Sequence, residues 1–113
     1  MQSKITELNL EYGSPTVEAA LQKMKNALIT YKGQGCKTVV IIHGYGSTGV
    51  GGGIKAAVRK ALSESSLQGI VRIFYGGEEW LNKKRELLSV CKALENYERR
   101  ISGNNGITVV VLK

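Results

Sequence analysis

A chain of 113 residues has the length for one hydrophobic core, and its 42% hydrophobic content excludes an intrinsically disordered chain. The formal net charge of +7 is unevenly placed. Between Ala19 and Gly77 the cations are Lys23, Lys25, Lys32, Lys37, Lys55, Arg59, Lys60 and Arg72, against the single acid Glu64. A one-sided stretch of this kind is an electrostatic footprint for a polyanion, of which nucleic acid is the commonest.

There is no Asp: all nine acids are Glu, and there is one His. A dedicated two-metal site is therefore disfavoured, and neither a metal site nor a cofactor is expected. Cys36 and Cys91 form no CxxC pair, and the N-terminal stretch has no apolar leader segment. Reduced thiols, a cytoplasmic location and no membrane association are the corresponding expectations.

In chain order, Ile5 to Glu11 alternates, with Leu8 and Leu10 on one face, and predicts a half-buried strand. Ser14 and Pro15 offer a cap and a first helical position. Val17, Ala20, Leu21, Met24, Leu28 and Tyr31 then recur at helical spacing, until Gly33 and Gly35 stop the helix. Thr38 to Ile42 is a continuous β-branched run of the type found in buried strands.

A loop from His43 to Gly53 follows, rich in glycine. Ile54, Ala57, Val58, Ala61 and Leu62 mark a second helix, and Ile70 to Tyr75 a third strand. A long third helix is predicted from about Glu79 to Ile101, then a turn at Gly103–Gly106 and a last strand over Ile107–Leu112. The order β-α-β-α-β-α-β within residues 1–113 predicts a single α/β domain. Its expected form is a two-layer sandwich on a four-stranded mixed sheet, with an extra helix before the last strand.

The loop after Ile42 carries the chemistry. Glycines let backbone N–H groups approach an anion, and the following helix adds its own unpaired N–H groups. Gly44-Tyr45-Gly46-Ser47-Thr48-Gly49 matches GxGxxG, but no acid closes the next strand as a dinucleotide site requires, and Val50 stands where a phosphate loop has Lys. His-Gly after an apolar strand also looks like an oxyanion loop, but there is no GxSxG elbow and no second His.

A third reading comes from resemblance. Ile41-Ile42-His43-Gly44-Tyr45-Gly46 resembles the HGxG motif of the small MutS-related (Smr) domain family. Leu8-Asn9-Leu10-Glu11 stands where that family has its LDxH strand. The segments Thr16–Leu21, Ile54–Arg59 and Gly106–Leu112 resemble, in order, its first helix, the helix after HGxG and its final strand. The resemblance implies a fold like the C-terminal domain of translation initiation factor three, and nucleic-acid binding with DNA nicking or RNA cleavage in some members. It places the loop function on His43, Gly44 and Gly46, with Tyr45 between them. By charge and position, Lys55, Arg59 and Arg72 are candidate backbone contacts.

His titrates near neutral pH and suits general acid–base chemistry, with Glu11 as its candidate catalytic partner. The LDxH pattern loses both polar residues, Asp to Asn9 and His to Glu11. Asn can neither take a proton nor carry the negative charge that Asp does, and Glu can be a base but not a cationic donor at neutral pH. The expected function is therefore nucleic-acid binding with lost or altered endonuclease activity. The alternatives are an active endonuclease using His43 with Glu11, and a protein-interaction or homodimer module using the 79–101 helix.

Overall fold

A computed structural model describes residues 5–11, 16–44 and 50–113. Four strands form one mixed sheet: β1 (Ile5–Asn9), β2 (Thr38–Ile42), β3 (Val71–Gly76) and β4 (Ile107–Leu112), in the spatial order β1-β2-β4-β3. β1 and β2 are parallel, with Asn9 opposite Ile42, and β4 runs antiparallel to both β2 and β3. The two central strands are the most apolar runs in the sequence, as covering of both faces requires. All six residues of β4 and the first four of β2 are buried.

Helices α1 (Val17–Gly33) and α2 (Val50–Leu62) cover one face. Ala20, Met24 and Leu28 of α1 and Ile54, Val58 and Ala61 of α2 pack there on Leu8, Val39, Ile41 and Val110. The α1 cap is Thr16, whose hydroxyl accepts the Ala19 N–H at 3.1 Å. The expected cap residues Ser14 and Pro15 lie outside the described residues. The second helix begins at Val50, so Gly51–Gly53 belong to its first turns and not to the preceding loop.

The segment before β4 covers the other face, adding a third layer to the sheet and its α1/α2 layer. It is not one continuous helix. α3 (Trp80–Val90) ends at Cys91, which turns extended at φ −143°, ψ 90°. A 3-10 stretch over Lys92–Tyr97 then leads into the short α4 (Glu98–Ile101). The reason is length. A straight helix over the 79–101 span would run about 35 Å, whereas strands of five or six residues span only about 20 Å.

Breaking at Cys91 folds the segment back over the sheet. Trp80, Leu87, Cys91, Leu94 and Ile101 all stay buried against Val40, Val109 and Val111. The segment therefore serves mainly as a cover, leaving Leu81 as its one large apolar side chain in the open. Among the described residues no helix is long and apolar enough to cross a membrane.

Candidate nucleic-acid interface

Parallel pairing of β1 and β2 brings the two motif-bearing strands out at the same end of the sheet. The Leu10 N–H donates to the Ile42 carbonyl at 2.8 Å, so Glu11 and His43 leave side by side. β4 enters at that end. The Gly106 carbonyl accepts from both the His43 N–H (2.9 Å) and the Gly44 N–H (3.1 Å).

The His43 side chain is fully buried. Its Nδ1 lies 3.0 Å from the Gly44 carbonyl oxygen and its Nε2 lies 2.8 Å from Thr108 Oγ1. A carbonyl only accepts, so Nδ1 carries the proton and Nε2 accepts from the Thr108 hydroxyl. Burial pulls the His43 pKa below its ordinary 6.5, and Lys55 lowers it further. The Gly44 carbonyl and the charges of Glu78 and Glu11 oppose this without overcoming it. The ring is thus neutral at pH 7.

Gly44 has φ +83°, a backbone conformation that disfavours any side chain, and a Cβ there would collide with the Glu11 carboxylate. The exposed Glu11 side chain can swing away from such a Cβ, so it is the positive φ at the strand end that calls for glycine here. Asn9, at the position of the family's Asp, makes a local turn: its Oδ1 accepts the Glu11 N–H at 2.9 Å. The Asn9 carbonyl accepts from Lys23 Nζ at 2.9 Å.

Next to this junction an open cleft of about 310 Å³ runs between two walls. Glu11, Gly44 and Gly106 form one wall; Arg99, Arg100 and Asn104 form the other. Arg100 pairs with Glu7 of β1. Asn104 organises the turn into β4, donating to the Arg100 carbonyl (3.0 Å) and accepting from the Gly106 N–H (2.8 Å). Arg99 is exposed and has no ion pair among the described residues. Sequence reasoning passed over this wall because its segment is close to neutral overall. The adjacent cations Arg99-Arg100, just ahead of the turn that leads into β4, were the available signal.

The other expected cations are differently placed. Lys55 pairs with Glu78 at 2.9 Å and Arg59 with Glu79 at 3.1 Å. The Arg59 guanidinium also lies 5.9 Å from the Phe74 ring centroid. Glu79 additionally accepts the Gly76 N–H at 2.9 Å. Partial burial pushes the Glu78 carboxyl up. The Lys55 hydrogen bond, its own backbone N–H and the charges of Lys55 and Arg59 outweigh that, and its pKa is lowered.

Arg72 is not part of this group. It sits near the start of β3, at the opposite end of the sheet, beside Gln68 and Lys113. Tyr45 and Gly46 lie outside the described residues. Among the described residues no three His, Cys, Asp or Glu side chains gather as a metal site.

Fold and site together define an α/β domain whose motif residues converge where two parallel strands end. The Smr domain model matches residues 13–75, and the chain belongs to the Smr domain family, known for nucleic-acid binding and nicking. The structure is similar to the Smr domain of Thermus thermophilus MutS2, at 24% identity and a TM-score of 0.57, covering 97% of this chain and 98% of that one. No curated protein matches the chain.

Proposed function

We propose that this Smr domain binds nucleic acid through the end of the sheet where Glu11 and His43 emerge, and that His43 is a structural pin there and not a proton-transfer group. The burial of His43 carries the reading. A general base must come within about 2.6–3.2 Å of the proton that it takes. A ring with no exposed surface, held at one nitrogen by Thr108 and at the other by Gly44, offers neither nitrogen to a substrate. Asn9 cannot replace the lost Asp as a charge, and it is committed to its turn. Binding is supported by family membership, by the lopsided charge and by the glycine-rich approach to the site.

Two measurements test the proposal together. Fluorescence anisotropy on labelled duplex should show affinity falling steeply with salt, log K dropping by about 0.9 per phosphate neutralised for each tenfold rise. A nicking assay on supercoiled DNA and structured RNA, with and without Mg²⁺, should show no cleavage. Cleavage lost in His43→Asn, with the variant still folded by thermal melt, would instead establish the endonuclease reading. One observation favours that second reading: Glu11 and His43 do share one end of the sheet.

A further inference from the structure

Arg99 lies beyond residues 13–75, outside the part of the chain that carries the family match. We infer that Arg99, on α4, is a phosphate contact for the nucleic-acid backbone and that α4 forms the cationic wall of the interface. The inference rests on the nucleic-acid reading above.

Three observations support it. The first is position: Arg99 lines the same cleft as Glu11, Gly44 and Gly106, so it borders the HGxG strand end directly. The second is availability: Lys55, Arg59 and Arg100 each have a carboxylate partner, whereas Arg99 has none among the described residues. A guanidinium without a partner can pair with a phosphate without first breaking an ion pair, and its fork matches two phosphate oxygens.

The third observation is rigidity. α4 is held from several sides. The Glu98 carboxylate accepts from Trp80 Nε1 at 2.8 Å and pairs with Lys84 at 2.7 Å. Ile101 is buried, Arg100 reaches Glu7, and Asn104 donates to the Arg100 carbonyl. A short helix fixed in this way presents its remaining cation with little backbone ordering left to lose on binding. Glu11 lines the same cleft and repels a phosphate, so the attraction there has to come from the cationic side chain.

The test is anisotropy with one labelled duplex at several salt concentrations, comparing wild type with Arg99→Gln, Arg99→Lys and Arg72→Gln. Arg99→Gln should weaken binding about fivefold at low salt and flatten the salt slope by about 0.9, the loss of one phosphate contact. Arg99→Lys should keep the wild-type slope. Arg72→Gln, at the far end of the sheet, should leave both affinity and slope close to wild type. Arg99 is exposed, so thermal melts should coincide across the set. Wild-type binding that Arg99→Gln leaves unchanged in strength and slope overturns this inference alone. A wild-type chain that binds no nucleic acid overturns it together with the proposed function.

Discussion

Lys55 and Arg59 on α2 and Arg99 on α4 approach the same end of the sheet from opposite faces, and they differ in what surrounds them. The α2 pair belongs to the strongly basic stretch that dominates the sequence, yet Glu78 and Glu79 sit against them. Arg99 belongs to a segment of nearly balanced charge, yet it is the cation left without an ion pair among the described residues that line the cleft. Charge counted along a chain therefore does not map the charge available to a ligand. The two acids come just after β3, and the sheet brings them to α2; among the described residues no carboxylate pairs with Arg99, although Glu11 lines the same cleft.

The largest expected effect concerns the support of the α4 wall. Trp80→Ala removes a fully buried indole and its hydrogen bond to Glu98. A loss of about 4 kcal/mol is expected in urea unfolding, in the range for large aromatic truncations. A loss below about 1 kcal/mol would mean that α4 does not depend on this packing.

His43→Asn should cost about 2 kcal/mol, since a buried hydroxyl and carbonyl lose their ring partners. It should also change how stability depends on pH. The folded-state pKa of His43 is depressed, so the unfolded chain binds more protons. The contribution of the neutral ring is complete above the unfolded value, about 6.5, and is lost as pH falls through the folded value. Wild-type melting temperature should drop below pH 6.5 by more than that of the variant. Parallel curves would contradict the neutral, buried ring.

The smallest effects sharpen the contrast between the two sets of cations. Lys55→Gln should weaken nucleic-acid binding less than twofold, because its charge is already matched by Glu78. Glu78→Gln should tighten binding about twofold by releasing Lys55 and removing a negative charge. A Lys55→Gln defect as large as that of Arg99→Gln in the same titration would erase the distinction.

Much of the architecture was legible in the chain. Strands β2 and β4 fell on Thr38–Ile42 and Ile107–Leu112 as expected, because runs of five or six residues this rich in β-branched side chains are short for a helix and suit a buried strand. The α1 stripe and the HGxG resemblance were equally local signals. The break at Cys91 was not visible, since Leu87, Cys91, Leu94 and Ile101 fit helical spacing on either side of it. The limit there is the length of the strands to be covered, which no local window within the segment contains.

The candidate site divides in the same way. The sequence by itself determined that the glycine-flanked His43 ends a strand, that Asn9 and Glu11 replace the family's Asp and His, and that the chain is basic. Motif, composition and periodicity are properties of neighbouring residues. Only the tertiary structure decided that Thr108 and Gly44 occupy both nitrogens of His43, that Glu78 and Glu79 neutralise Lys55 and Arg59, and that Arg99 faces the cleft. Each of these depends on which side chains the parallel β1–β2 pair and the returning β4 bring together. Hydrogen bonding and Coulomb attraction act over a few ångströms in space, whatever the separation along the chain.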